Sequence, residues 1–224
     1  MTSVVDICNI ALSNIRAGSI NSLDESNPEA QLCKLKYPIV RDMVIANMDW
    51  QFSSGVKTLA LLSATELFNW SYAYQYPVDS FGINRLIGEY EEISTDSGTA
   101  VISQARQNLI DSELRSVEDL RMQIPYEIFN VDGNRVIGAN EPNLRIDYRI
   151  KITDPNLFSP QLVISVAHLL ASEIAIPIVG GELGRQFRAD SLSLYQNYLD
   201  AAISSDMNEQ YHSPGDSEYV TIRR

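Results

Sequence analysis

The stretch from Leu144 to Pro160, LRIDYRIKITDPNLFSP, contains the change of pattern that decides the fold. From Leu144 to Ile152 apolar and polar residues alternate with a period of two, which is typical of a half-buried β-strand. The end of the stretch, Ser159-Pro160, combines a good N-cap residue with a proline at the first helical position. We therefore predict that a β region ends here and that a helical region begins.

The residues that follow predict two consecutive helices. The first begins at Ser159 and runs to about residue 176, because Pro177 and then Gly180-Gly181 should break it. The second covers 182–204. Beyond it the apolar periodicity is lost, so 207–224 is predicted to be a flexible C-terminal tail.

Two helices are also predicted at the N-terminus. Apolar residues recur at helical spacing over 4–16, Ser3 and Asp6 form a capping-box pattern, and Gly18 is a suitable stop. The second helix should start at Asn27-Pro28, where asparagine caps and proline occupies the first position.

The region between these helical pairs is rich in β-branched and aromatic residues. A period-two pattern over 70–76 predicts a strand, and Asp132-Gly133 predicts a hairpin turn between 126–131 and 135–138. Helical spacing returns near 97–122, which indicates a helical insertion. On one face of the 70–76 strand lie three tyrosines that would pack in the core or, if exposed, contact another subunit: Tyr72, Tyr74 and Tyr76.

The expected fold class is therefore α+β, with a helical bundle of two N-terminal and two C-terminal helices. The bundle should comprise 1–50 and 157–206, and 51–156 should form an inserted, mainly antiparallel β domain. The tail follows at 207–224.

The composition of the chain argues against several classes of function. The net charge is −12, with 29 acidic against 17 basic residues, which argues against a surface that grips nucleic acid. No apolar run approaches the roughly 18 residues of a membrane span, and the first residues lack the features of a signal peptide. Cys8 and Cys33 lack metal-ligand spacing and are predicted to be reduced core thiols.

No motif of catalysis, metal binding or cofactor binding stands out, so the chain is predicted not to be an enzyme. His168 lies among apolar helical residues, His212 lies in the tail, and Gly180-Gly181 lacks the lysine of a phosphate loop. A competing hypothesis is a tail-associated cell-wall hydrolase, which needs two carboxylates across a cleft. Its candidates are Glu89, Glu91, Glu127 and Asp147.

A series of short motifs resembles the tail tubular protein A family of short-tailed phages. Near the N-terminus the series comprises Asn9-Ile-Ala-Leu-Ser-Asn-Ile15 with Gly18, then Ile20-Asn-Ser-Leu-Asp-Glu25, and then Pro28-Glu-Ala-Gln-Leu-Cys33. It continues with Tyr37 and Arg41-Asp42, with Trp50-Gln-Phe52, and with Asp154-Pro-Asn-Leu-Phe-Ser-Pro160. The first motif departs from the family pattern, because Arg16 and Ala17 separate Ile15 from Gly18.

This resemblance implies a structural virion protein, assembled in the host cytoplasm and located in the phage tail. Members form dodecameric rings between the portal protein and a nozzle of the tail tubular protein B type, and they bind tail fibres or tailspikes. DNA passes through the ring without specific binding, and no membrane is involved. A connector ring protein of a long-tailed phage is a further alternative. We expect the free subunit to be monomeric, because like charges in a ring repel one another.

The tail offers one candidate docking element. The stretch Tyr219-Val-Thr-Ile222 has strand-forming residues, and Arg223-Arg224 follows it in an otherwise acidic chain. An extended segment of this kind can add to an exposed sheet edge through backbone hydrogen bonds. We therefore predict docking on the portal or on a neighbouring subunit through Tyr219, Val220, Ile222, Arg223 and Arg224.

Overall fold

The chain is an α+β protein that divides into two compact units. The computed structural model describes residues 2–62, 67, 69–88, 91–95, 98–102 and 124–208, with the backbone alone at 91–95 and 98–102. The helical unit comprises Met1–Phe52 and Ile152–Arg224, and the β unit comprises Ser53–Lys151. The predicted boundaries were 50/51 and 156/157.

The helical unit has four α-helices in its described residues. They are α1 (Val4–Asn14), α2 (Pro28–Ala46), α3 (Pro160–Val179) and α4 (Gly181–Asn208), with short 3₁₀ turns at Gln51–Ser53 and Pro155–Leu157.

The three predicted N-caps are confirmed. Ser3 and Asp6 bond reciprocally, with Asp6 N donating to Ser3 Oγ over 3.1 Å and Ser3 N donating to Asp6 Oδ2 over 2.8 Å. The side chains of Asn27 and Ser159 accept from backbone N–H groups at the starts of α2 and α3. Each cap satisfies a donor that a helix start would leave unpaired.

Three predicted helix ends were wrong. Helix α1 ends at Asn14 rather than near residue 16, because Arg16, at φ 59°, turns the chain before Gly18 is reached. Helix α3 continues through Pro177 to Val179, because proline has a helical φ and its missing N–H removes a single helical bond. Its end is set by Gly180, whose φ of 69° suits a residue without a side chain.

Helix α4 runs to Asn208, four residues beyond the predicted end at 204. The side chain of Asp206 accepts the backbone N–H of Gln51 over 3.1 Å, which ties the last turn of α4 to the chain after α2. A contact between residues so distant in sequence leaves no periodic signal. The predicted tail therefore overlaps α4 at residues 207 and 208.

Helix α3 is the centre of the helical unit. It contacts α1, α2 and α4, and twelve of its residues are buried. Its most apolar window of 18 residues has a mean hydropathy of 2.1 and is 67% buried. By length and composition this helix could cross a membrane, so the prediction that no apolar run approaches that length was wrong. Ser165, His168, Ser172 and Glu173 had masked the run by dividing it into short segments.

In its described residues the β unit contains two three-stranded antiparallel sheets and one separate strand pair. In chain order the strands are β1 (Ser54–Thr58), β2 (Tyr72–Gln75), β3 (Ser80–Ile87), β4 (Glu91–Thr95), β5 (Gly98–Ile102), β6 (Tyr126–Val131), β7 (Asn134–Ala139) and β8 (Arg145–Ile150). The sheets have the orders β1-β8-β3 and β2-β7-β6, and β4 pairs with β5. Side chains of both three-stranded sheets meet in one apolar cluster.

The strongest β predictions are confirmed. The alternating stretch forms β8, the middle strand of its sheet, and Asp132 (φ 50°) with Gly133 (φ 81°) forms the turn of the β6–β7 hairpin. Positive φ at both residues is the geometry of a type I′ turn. Of the predicted helix near 97–122, residues 98–102 form β5 instead, and 103–122 lies outside the described residues.

The tyrosine series is mainly core. Tyr74 is 1% exposed and Tyr76 is 6% exposed, so neither can serve as a subunit contact. Tyr72 is half-buried and packs against the same apolar cluster. The alternation along this strand therefore reports burial in the β unit.

We predict that Leu170→Ala destabilises the protein by about 2–5 kcal/mol, because it leaves a cavity in the most buried helix. Urea unfolding monitored by circular dichroism measures the loss. Leu183→Ala, which truncates an exposed leucine on α4, is the matched control and should change the free energy of unfolding by under about 0.5 kcal/mol. Equal effects of the two substitutions would contradict the central position of α3.

Candidate functional site

His168 packs in the helical unit. Its ring stacks on Tyr198 at a centroid distance of 5.4 Å, and its Nδ1 lies 3.2 Å from Nδ2 of Asn14. An amide N–H can donate only to an unprotonated ring nitrogen, so this geometry suits the neutral imidazole. Burial also lowers the pKa of His168. These contacts give the histidine a packing role that joins α1, α3 and α4.

The carboxylates considered for hydrolysis are not brought together as a pair. Asp147, on β8, accepts from Nε of Arg85 over 3.0 Å, and Glu127, on β6, accepts from Nε1 of Trp70 over 3.2 Å. The two residues belong to different sheets. Glu89 lies outside the described residues, and of Glu91 only the backbone is described. Within the described residues no three His, Cys, Asp or Glu side chains are placed to hold a metal ion.

Cys8 and Cys33 are both fully buried free thiols, on α1 and α2. A hydrogen bond between the two thiols and their burial raise the pKa of Cys8. A thiol held in its neutral form is a poor nucleophile. The pair therefore contributes packing between two helices.

The most distinctive surface is an exposed apolar stripe on α2, formed by Leu35, Ile39 and Met43. Their exposed fractions are 63%, 54% and 59%. Because the residues are four apart, they lie one above the other on a single helix face. The opposite face carries Cys33, Tyr37, Val40 and Val44, which are buried. Helix α2 is thus apolar on two faces, and a soluble protein gains from covering the second one.

A shallow groove of about 580 Å³ lies on the β unit beside the β6–β7 turn. The guanidinium carbon of Arg135 lies 3.8 Å from the ring centroid of Tyr76, and Val78 at the rim is 93% exposed. Asp132 and Asn134 add polar groups to the lining. This mixture suits an extended polypeptide better than a reactive small molecule, because no described nucleophile and base converge there.

No protein-family model matches the chain, and no curated protein sequence matches it. The predicted docking residues Tyr219, Val220, Ile222, Arg223 and Arg224 all lie outside the described residues.

The α2 stripe was missed in the sequence, although a signal for it was present. The buried set, from Ala30 to Val44, accounts fully for an amphipathic helix. A second series with helical spacing comprises Leu35, Ile39 and Met43. An interpretation with one apolar face on the helix does not explain this series.

We predict that acid weakens the protein partly through His168. A histidine whose folded pKa is lowered binds its proton more readily when unfolded, so stability is lost as the pH falls below about 6.5. His168→Gln should therefore lose less stability than the parent chain between pH 7.5 and pH 5. Melting temperatures across that range test this, with His212→Gln as the control for the other histidine. Identical pH profiles for His168→Gln and the parent would refute it.

A second prediction concerns Tyr37, whose buried hydroxyl has no hydrogen-bond partner among the described residues and whose pKa burial raises to about 12. Tyr37→Phe removes a desolvated polar group, so the free energy of unfolding should rise by up to about 1 kcal/mol. The control is Tyr74→Phe, which deletes a hydroxyl that donates to the Glu141 carbonyl over 2.7 Å and should cost about 1 kcal/mol. Chemical denaturation measures the free energy of unfolding of both variants. A clear loss of stability in Tyr37→Phe would contradict the prediction, because it would mean that the Tyr37 hydroxyl has a hydrogen-bond partner.

Proposed function

We propose that the chain is a head-to-tail adaptor ring subunit of a short-tailed phage, located in the virion tail between portal and nozzle. The observation that carries the proposal is that the motifs resembling the tail tubular protein A family meet one another in the helical unit. In one such contact Phe52 lies 5.7 Å from Phe158, ring centroid to ring centroid, although about a hundred residues separate them. Trp50, from the same motif as Phe52, lies 5.9 Å from it.

The earlier motifs also have structural roles. The carboxylate of Glu25 accepts the backbone N–H groups of Asn21 and Ser22 over 2.6 Å and 3.0 Å, which shapes the turn between α1 and α2. Arg41 lies over the Tyr37 ring at 5.8 Å and pairs with Asp42 at 2.6 Å. These motif residues therefore shape the turn between α1 and α2 and one face of α2.

In this proposal the four helices form a bundle around α3, and the α2 stripe contacts the next subunit. A closed ring uses head-to-tail interfaces, so each subunit needs an apolar patch that a different surface of its neighbour covers. The net charge of −12 suits a lumen through which DNA slides without binding. Assembly as a dodecamer, with fibres or tailspikes on the outside, follows from the resemblance alone.

We predict that the purified chain forms closed rings on the portal protein of the same phage, visible by negative-stain electron microscopy. Replacing Leu35, Ile39 and Met43 together by Gln should abolish these rings, because it makes the exposed stripe polar. The melting temperature should hardly change, since the three side chains are exposed.

The control replaces two exposed apolar residues of the β unit that do not line the groove, Val56 and Leu61, by Gln. This variant should still form rings. Portal particles that never acquire the chain would overturn the adaptor function. Rings that form normally with the stripe variant would reject only the stripe as the interface.

A further inference from the structure

Among the described residues, strand β6 (Tyr126–Val131) is an open edge of its sheet. The sheet order is β2-β7-β6, and the described part of the chain gives β6 a partner on one side alone, which is β7. The strand contains no proline, and its single charged residue is Glu127. Open edges that lack such protection accept further strands.

The hairpin geometry fixes which backbone groups point outward. Val131 and Asn134 close a two-residue turn, so they exchange backbone bonds, and every second residue back along β6 also bonds to β7. The N–H and C=O groups of Tyr126, Ile128 and Asn130 therefore face the open edge. A strand added there would find three residues ready to pair.

Ile128 shows that this edge is incomplete. It lies directly opposite Ile137, which is fully buried in the core cluster, so its side chain is on the core face of the sheet. Even so, 39% of Ile128 is exposed, because no described strand lies beyond it. An apolar side chain on an added strand would cover this surface.

Residues 219–224 supply a sequence suited to pairing with this edge. Helix α4 ends at Asn208, and 16 further residues follow, which is enough to cross to another molecule. The segment 219–222 reads Tyr-Val-Thr-Ile, and Arg223 follows it. Antiparallel pairing that places Ile222 opposite Ile128 also places Arg223 opposite Glu127, so one register satisfies both the apolar and the charged position.

We propose that residues 219–224 of a neighbouring subunit add to β6 as an antiparallel strand in this register. The proposal rests on the proposed ring, because it needs a second copy of the chain beside the first. It gives each subunit a donor segment and an acceptor edge, which are unlike surfaces, as a head-to-tail ring requires. Backbone hydrogen bonds supply most of the attachment, and the Glu127–Arg223 pair selects the register.

Disulfide trapping tests the register with full-length chains. Glu127 bonds to β7, so Glu127 and Arg223 would form a pair without mutual backbone bonds, with Cα atoms about 4.5 Å apart. That separation suits a disulfide. We would mix a Glu127→Cys chain with an Arg223→Cys chain under mild oxidation, with and without the portal protein of the same phage. A cross-linked dimer on a non-reducing gel is expected.

Two controls keep the result specific. Pairing Glu127→Cys with Tyr219→Cys puts the thiols four residues out of register, about 13 Å apart along the strand, so the cross-link should be lost. The parent chain, with its buried Cys8 and Cys33, should give none. Equal cross-linking in and out of register would overturn the proposal. A single chain that carries both Glu127→Cys and Arg223→Cys provides a further check. If the disulfide forms only within such single chains and never between two chains, the proposal is also overturned.

Charge reversal provides a second test that adds no cysteine. Glu127→Arg should weaken subunit association by about twofold to fivefold, as expected for an exposed ion pair, and Arg223→Glu in the same chain should restore it. If the two substitutions together weaken subunit association by the sum of their separate effects, the register is wrong. Rings that contain the Glu127→Cys and Arg223→Cys chains on portal particles, without any cross-link between the two chains, would overturn the strand addition and leave the adaptor function standing. Absence of rings would overturn the adaptor function, whatever the cross-link shows.

Discussion

The packing of α3 is the constraint on which the helical unit depends. Its apolar surface extends nearly all round, and it is covered by α1 and α2 from the start of the chain and by α4 from the end. A helix this apolar cannot remain exposed to water, so the two ends of the chain must come together. The ion pair of Lys36 with Glu173, at 3.0 Å, adds a charged contact between α2 and α3. In the sequence, the β unit is an insertion between the two N-terminal and the two C-terminal helices.

Local chemistry made much of this fold predictable. Helix starts were predicted well because capping needs residues within one turn, as at Ser3, Asn27 and Ser159. The β6–β7 turn was predictable because few residues tolerate two positive φ angles in succession. The alternation in β8 reflects a strand with one buried face.

The predictions that failed concern features set by contacts between residues distant in sequence, or a helix that has two apolar faces. The end of α4 depends on the bond between Asp206 and Gln51, which no local pattern reports. The prediction of a helix end at Pro177 failed because a proline removes one helical bond and need not end a helix. For the candidate site, the sequence correctly assigned His168 to a packed environment, but the α2 stripe was overlooked because its residues lie among those of the core stripe. The open edge of β6 could not be predicted, since it depends on the strand order of the sheet.

The β unit begins and ends at neighbouring points. Ser54 in β1 pairs with Arg149 in β8, so the strand that opens the unit lies beside the strand that closes it. An excursion whose two ends meet costs the host little chain entropy, and lengthening it costs only slightly more. The segment between these ends can therefore be lengthened, shortened or exchanged during evolution without rethreading the helices. The helical residues would then preserve ancestry over long divergence, while the β unit adapts to whichever partners each lineage acquires.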